Sequence, residues 1–233
     1  MKKTILAVSA ALAILSSATS CTWVRVNPKL FGEDSQNSVR GVAVEQISQA
    51  DSFVVNIPVD IEYTQTEAEP FLTIEASEKV RQKIEILQDG RTVTIRVKPG
   101  ERLGGGIGDI NVKIGTSTLS SLTFNGAADF SIEGGLATSR LMIQSNGACE
   151  IDINHLKADE IAILANGASD ISLEGLDCGS VNVYLNGAGD VTLEGRCTKA
   201  DLNIAGAGDI DASRLVSESL TTDVHGLGSI KRP

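Results

Sequence analysis

A short motif that recurs every 19 to 21 residues dominates the second half of the chain. Its clearest copy, residues 166–171, reads Asn-Gly-Ala-Ser-Asp-Ile, and residues 186–191 repeat it as Asn-Gly-Ala-Gly-Asp-Val. A fixed period of this length, built from Gly turns and short apolar alternations, is typical of a solenoid, in which each rung buries its apolar face only against its neighbours. The six copies begin at Asn125, Asn146, Asn166, Asn186, Ala205 and His225.

Apolar side chains keep a constant position relative to this motif. They precede it, as Val183 and Leu185 do, and follow it, as Val191 and Leu193 do. Such alternation predicts strands with one buried face, joined here by tight corners where only small residues point inward. These small inward residues are Gly126, Ala128, Gly147, Cys149, Gly167, Ser169, Gly187, Gly189, Gly206 and Gly208. We therefore predict an all-β protein, a parallel β-helix with about 20 residues per rung.

The N-terminal segment has the pattern of a secretory signal peptide. Residues 1–20 begin with two lysines, continue through an apolar run that is too short to span a membrane, and end in small polar residues. Cys21 follows directly. We interpret Cys21 as the lipidated first residue of a lipoprotein, with an ordinary cleavage that leaves a free thiol as the alternative. Residues 21–37 then form a tether between the membrane and the domain.

The charge of the chain narrows its possible partners. The sequence has 20 basic and 30 acidic residues, a formal charge of −10, and loses Lys2 and Lys3 with the signal peptide. An acidic surface argues against nucleic acid and against direct binding to anionic lipid, since both require a basic patch.

Residues 38–233 form a single β-helix domain in this interpretation. Residues 38–100 show strand-like alternation without the repeat, and Asp89-Gly90 predicts a hairpin turn. We expect this part to be an irregular cap over the open end of the stack, because an uncovered terminal rung is a free sheet edge. The Gly-rich segment that ends at residue 108 is interpreted as a connection, and residues 109–233 as the regular rungs.

Two cysteines occupy the same place in neighbouring rungs. Cys178 and Cys197 each lie eight residues before the next motif copy. Stacked strands are about 4.8 Å apart, which is within the range of Cα separations for a disulfide. We infer a Cys178–Cys197 disulfide, and the alternative is two buried, reduced thiols. Cys149 has no partner in this scheme.

The repeated asparagines and Tyr184 are the candidate ligand-binding residues. Stacked amides can hydrogen-bond from rung to rung, and this structural role accounts for the column without a ligand. A row of amides that reads a ligand is the alternative. Tyr184 lies in the outward phase of a strand and is the best single aromatic candidate, although so few outward aromatics give little indication of a lectin. The asparagines are Asn125, Asn146, Asn166 and Asn186.

A second column consists of acidic residues four positions after the start of each motif copy. Like charges stacked at this spacing repel one another, so something must offset them. We expect each carboxylate to accept hydrogen bonds from the backbone N–H groups of its own turn, and calcium is the alternative. The column comprises Asp129, Glu150, Asp170, Asp190 and Asp209.

The sequence gives no support for catalysis. A glycosidase needs two carboxylates in distinct environments, whereas the acidic column repeats one environment. His155 and His225, the only histidines, lie several rungs apart. We therefore predict no catalytic residues, no resident metal and no cofactor.

Several features together resemble one protein family. They are the signal with Cys21, the Val-Asp-Ile-Glu-Tyr segment at residues 59–63, the Asp89-Gly90 turn and the Asn-Gly-Ala-x-Asp-Ile rungs. They resemble the "putative auto-transporter adhesin, head GIN domain" proteins of Bacteroidetes-type envelopes, over about residues 38 to 230. The resemblance implies a right-handed β-helix and an exported protein with an adhesive or polysaccharide-related role. It carries over no catalytic residues.

The prediction is thus a non-enzymatic outer-membrane lipoprotein. It would contact the membrane through its N-terminal lipid and serve as a rigid spacer and binding surface for a glycan or an envelope protein. The alternative is a polysaccharide lyase or hydrolase on a β-helix scaffold, which rests on analogy of fold alone.

Overall fold

The chain folds into a parallel β-solenoid in a computed structural model that describes residues 40–104 and 109–233. The predicted signal peptide, Cys21 and the tether lie outside the described residues, as does the end of the Gly-rich segment. The strands are β1 (Arg40–Glu45), β2 (Ser52–Val55), β3 (Val59–Gln65), β4 (Phe71–Ser77), β5 (Ile84–Asp89), β6 (Thr92–Val97), β7 (Asn111–Thr116), β8 (Ser121–Phe124), β9 (Ala128–Glu133), β10 (Leu136–Ser145), β11 (Ala148–Asn154), β12 (Leu156–Ala165), β13 (Ala168–Leu185), β14 (Ala188–Ile204), β15 (Ala207–Val224) and β16 (Ile230–Lys231).

The rungs stack into two ladders that meet at the repeated corner. The front ladder, which precedes the corner in each rung, runs β5-β6-β2-β8-β10-β12 and continues through the second halves of β13, β14 and β15. The back ladder, which follows the corner, runs β1-β4-β7-β3-β9-β11 and continues through the first halves of β13 to β15 to β16. The predicted all-β, parallel β-helix with rungs of about 20 residues is confirmed.

Columns of like aliphatic side chains fill the space between the ladders. In the front ladder, Ile143, Ile163 and Val183 are successive register partners, and each is at most 1% exposed. In the back ladder, Ile151 and Ile171 are register partners and are likewise buried. Burial of each such side chain contributes roughly 1.5–3 kcal/mol, so the narrow core derives its stability from repetition.

Glycine is required at the corner because the backbones of adjacent rungs approach each other closely there. A Cβ atom on Gly147 would lie 1.8 Å from the carbonyl oxygen of Gly126, and one on Gly167 would lie 1.8 Å from that of Gly147. The same clash recurs at Gly187. At Gly147, Gly167 and Gly187, therefore, no side chain fits.

The N-terminal third is not only a cap. β1, β4 and β5 pair antiparallel with their neighbours and cover the first end of the stack. β2 and β3, however, form a complete rung that lies between the β6–β7 rung and the β8–β9 rung. Residues 38–100, expected to form an irregular cap, thus also contribute a rung that lies inside the stack.

Local elements in this third follow the sequence. Gly90 adopts φ 57° in the β5–β6 hairpin, as the Asp89-Gly90 pair predicted. The one turn of helix α1 (Glu78–Arg81) places Val80 in the core. Among the residues that the structure describes, no helix combines the length and apolar character that crossing a bilayer requires.

Candidate binding surface

The asparagine side chains at the corner form one hydrogen-bonded ladder. Asn146 Nδ2 donates to Asn125 Oδ1 at 2.8 Å, and Asn166 Nδ2 donates to Asn146 Oδ1 at 2.9 Å. Asn186 Nδ2 continues the ladder by donating to Asn166 Oδ1 at 3.1 Å. The ladder also reaches one rung further down than the repeat indicated, because Asn125 Nδ2 donates to Asn56 Oδ1 at 2.7 Å.

These ladder bonds use only part of the hydrogen-bonding capacity of each amide. A carboxamide has two donor hydrogens and two acceptor lone pairs, and a ladder bond on each side occupies one of each. Asn125, Asn166 and Asn186 are exposed, so the remaining capacity is directed to solvent. Gln144 Nε2 makes a further contact at 3.3 Å with the oxygen of Asn146. The ladder is therefore structural and still able to contact a ligand.

An uncharged patch lies on the outward side of the front ladder, next to the asparagines. Five successive rungs contribute three outward positions each, and none of the fifteen side chains is ionisable near neutral pH. Tyr184 and Met142 are 49% and 46% exposed. We call this patch the uncharged face; it comprises Ser52, Val54, Asn56, Ser121, Thr123, Asn125, Met142, Gln144, Asn146, Ala162, Leu164, Asn166, Asn182, Tyr184 and Asn186.

Sequence reasoning found only part of this face. Parity indicated that Tyr184 points outward, and the register now places it directly above Leu164. The repeat does not indicate that β2 contributes Ser52, Val54 and Asn56 to this face. The reason is distance in sequence, since Asn56 precedes its neighbour Asn125 by 69 residues. The available signal was the spacing of Asn56 and Asp60, which matches that of Asn125 and Asp129.

The acidic residues form a column on the back ladder, as the repeat predicted. Asp129, Glu150 and Asp170 are successive register partners. In the upper rungs the carboxylates accept hydrogen bonds from the next rung: Asp190 N–H donates to Asp170 Oδ1 at 3.0 Å, and Asp209 N–H donates to Asp190 Oδ1 at 3.2 Å. The expected local turns within one rung are therefore replaced there by bonds between rungs, which offset the repulsion of like charges.

The last member of the column shows the electrostatic effect. Ser229 donates both its N–H and its hydroxyl to Asp209 Oδ1, each at 2.7 Å. These hydrogen bonds hold the pKa of Asp209 below its ordinary value. At Asp170, Asp190 and Asp209, backbone amides and the Ser229 hydroxyl thus offset the repulsion of like charges without a metal ion.

The spacing of this column differs from the arrangement of ligands in a calcium site. Within residues 40–104 and 109–233, no three His, Cys, Asp or Glu side chains converge in a way that could hold a metal ion. Stacking places one carboxylate per rung on a flat sheet, whereas calcium requires six to eight oxygens around one point. The carboxylates of this column are those of Asp129, Glu150, Asp170, Asp190 and Asp209.

An acidic depression of about 490 Å³ opens on the lower part of the back ladder. Lys113 Nζ lies 2.6 Å from Glu62 Oε2, and this hydrogen bond lowers the pKa of Glu62 and raises that of Lys113. The general acid of glycoside hydrolysis needs a raised pKa, so the shift of the Glu62 pKa is opposite to the one that this role requires. The other acidic residues that line the depression are Asp60, Glu75, Asp129, Glu150 and Asp152.

Cys178 and Cys197 are register partners on adjacent rungs, as their spacing predicted. Their side chains are 8% and 7% exposed, and both are free thiols, so the inferred disulfide is not formed in this structure. Burial, together with the neighbouring Cys197, raises the pKa of the Cys178 thiol to about 12. Cys149 is also a buried free thiol, and its sulfur contacts the Gly126 carbonyl oxygen at 3.6 Å.

The two histidines occupy unrelated places. His155 is exposed at the turn between β11 and β12, with φ 58°. His225 lies beyond β15, where its Nε2 contacts Asp223 at 2.9 Å. The structure does not bring them together.

Comparison with known proteins identifies relatives. A family model described as "Putative auto-transporter adhesin, head GIN domain" matches residues 51–231. A search of curated proteins found no match.

Solved structures with similar folds include three from Bacteroidetes. A "putative adhesin" from Parabacteroides distasonis is 18% identical with a TM-score of 0.75, covering 83% of this chain and 82% of its own. A "putative adhesin" from Bacteroides fragilis is 20% identical with a TM-score of 0.67, covering 84% and 98%. A "putative lipid binding protein" from P. distasonis is 18% identical with a TM-score of 0.52, covering 83% and 96%. At these identities the likeness shows the fold.

Proposed function

Because this chain belongs to the family described as "Putative auto-transporter adhesin, head GIN domain", we propose that it is a non-enzymatic, adhesin-like protein of the cell envelope. Its β-helix serves as a rigid spacer and as a binding surface for a glycan or a protein. The observation that carries this proposal is the stacking of identical outward side chains on successive rungs, of which the Asn125-to-Asn186 ladder is the clearest case.

The binding mechanism is geometric. Rungs in register repeat the same groups at a pitch of about 4.8 Å, so a repetitive partner can make many weak contacts at once. The interlocked amides and the close backbone approach at Gly147 and Gly167 keep this pitch fixed. A preorganised surface loses little conformational entropy when it binds.

Attachment to the outer membrane through Cys21 completes the proposal. The signal pattern with a cysteine at its end supports lipidation, and residues 21–37 are long enough to hold the domain away from the bilayer. Mass spectrometry of the mature N-terminus should find a lipid-modified Cys21. Cys21→Ser should move the protein from the membrane fraction to the soluble periplasmic fraction, and an unmodified Cys21 would exclude the anchor.

The binding function is tested with the full mature chain carrying Cys21→Ser. Saturable binding to envelope preparations, purified glycans or envelope proteins is expected. The same samples are assayed for release of reducing ends or unsaturated products. Turnover of any polysaccharide would overturn the non-enzymatic proposal in favour of a lyase or hydrolase, and the absence of binding to every target would overturn the adhesin-like role.

A further inference from the structure

We propose that the uncharged face binds a neutral glycan chain, laid across the rungs beside the asparagine ladder. This inference rests on the proposed binding function and names the chemical class of the ligand. It comes from three properties of the face: its lack of charge, its spare hydrogen-bonding groups and its exposed apolar side chains.

The distribution of charge around the rungs is strongly uneven. The fifteen outward positions of the uncharged face carry no charge, although 21% of all residues in the chain are charged. In the same five rungs, seven of the ten outward positions just beyond the corner, on the back ladder, are acidic. These ten positions are Asp60, Glu62, Asp129, Ser131, Glu150, Asp152, Asp170, Ser172, Asp190 and Thr192. A polyanion approaching the uncharged face is repelled by that neighbouring column, whereas a neutral chain is not.

The hydrogen-bonding groups of the face match those of sugars. A sugar hydroxyl both donates and accepts, as does a carboxamide that retains one hydrogen and one lone pair. The ladder fixes the orientation of Asn125 and Asn166, so these groups are presented without further ordering. Thr123 and Gln144 add a hydroxyl and an amide on the adjacent column.

Apolar side chains provide the complementary contact for the carbon-bound hydrogens of a sugar ring. Tyr184 is 49% exposed, and its register partner Leu164 lies directly below it. Met142, at 46% exposed, lies two rungs below Asn182 on the neighbouring column. A tyrosine combines an apolar ring with a polar tip, which suits a ligand that has both kinds of surface.

The dimensions of the face favour a chain-like ligand over a folded protein. Five rungs at about 4.8 Å and three outward columns at about 6.7 Å outline roughly 400 to 500 Å². A stable protein partner usually covers about 800 Å² on each side. An extended glycan fits within the smaller area and can contact successive rungs with successive residues.

The test measures binding of the mature Cys21→Ser protein to mannan, laminarin and dextran as neutral polysaccharides, and to alginate as an anionic one. Binding to at least one neutral polysaccharide and none to alginate is expected. Affinity should change little between about 0.05 and 0.5 M salt, because no ion pair is involved. Tyr184→Ala should weaken binding roughly five- to tenfold, and Leu164→Glu should abolish it.

Thr192→Ala on the back ladder is the matched control and should bind like the wild type. Melting curves establish that each variant is folded, which is expected since Tyr184 and Leu164 lie on the outward side. Neutral-glycan binding that survives both face variants would overturn the proposed site. If only a protein target binds, the glycan proposal is excluded while the proposed binding function stands. If no target binds, both the glycan proposal and the proposed binding function are excluded.

Discussion

The side-chain amide of Asn125 donates a hydrogen bond to Asn56 at 2.7 Å although 69 residues separate the two in sequence. Both side chains stand at the same corner of neighbouring rungs, and Asn125 N–H also donates to the Val55 carbonyl at 2.8 Å. The contact joins a rung that lacks the Gly-Ala signature to the regular stack. The amide ladder therefore connects the irregular and the regular parts of the domain.

Asn146→Ala should destabilise the domain by roughly 1–3 kcal/mol, since it removes two ladder bonds whose net worth is about 0.5–1.5 kcal/mol each. Asn56→Ala, at the lower end of the ladder, removes one bond to Asn125 and should cost about half as much. Urea unfolding measures both. Equal effects at the two positions would show that the amides do not act through the ladder.

Gly167→Ala should prevent proper stacking, because the added Cβ would lie 1.8 Å from the Gly147 carbonyl oxygen. Gly126→Ala is the matched control, since its Cβ would meet the Ile57 carbonyl at 3.3 Å and needs only a small adjustment. Overpacking of this kind costs roughly 1–3 kcal/mol or more. Thermal melting should rank Gly167→Ala well below Gly126→Ala, and the reverse order would contradict the corner geometry.

Cys178 and Cys197 are free thiols in this structure, but as register partners on adjacent rungs they are placed to be oxidised to a disulfide when the protein is exported to an oxidising compartment. Each thiol would lose a proton and an electron to a disulfide donor by thiol–disulfide exchange. The raised pKa of Cys178 makes this step slow without a catalyst. Closing a loop of this length stabilises the fold by about 3 kcal/mol, so reductant should lower the melting temperature.

The Cys178→Ser/Cys197→Ser double variant is the control for that measurement, and its melting should not respond to reductant. Cys149 should be alkylated only after denaturation, because it is buried. Alkylation of Cys149, Cys178 and Cys197 after denaturation of exported, non-reduced protein would exclude the disulfide.

Asp211 should make the last rungs sensitive to acid. Ser213 donates its hydroxyl and N–H to one carboxylate oxygen, and Lys231 donates to the other, which lowers the pKa of Asp211 to about 2. Because this folded-state pKa is below the unfolded value of about 3.9, the stabilisation is complete above that value and is lost as pH falls towards 2.

Carbon-13 NMR titration of the Asp211 carboxyl tests this pKa directly. Hydrogen exchange at β16 should accelerate as the pH is lowered through this range, after correction for the intrinsic rate. Asp211→Asn keeps an acceptor but removes the charge and should flatten the pH response. A carboxyl that titrates near 3.9 would refute the proposed hydrogen bonds.

Prediction from sequence was most successful where the rung repeats. The period placed Asn146, Asn166 and Asn186 in one column, and the spacing of Cys178 and Cys197 placed them opposite each other. It was least successful for β2, where Ile57 and Pro58 replace the Gly-Ala of the motif and conceal a rung. β2 and β3 pair with β8 and β9, which are distant in the sequence, so the period does not indicate these partners.

The sequence by itself determined the rung. Its length, its inward aliphatic residues, its small corner and its stacked asparagines all follow from local alternation and the period, because adjacent rungs in a solenoid repeat the same local environment. Only the tertiary structure decided the order of the first rungs, the hydrogen bonds that Asp170 and Asp190 accept from the next rung, and the extent of the uncharged face. The order of the first rungs and the extent of the face depend on contacts between segments that share no repeat. The hydrogen bonds between rungs depend on the backbone spacing of stacked rungs. No single stretch of the chain specifies either the contacts or the spacing.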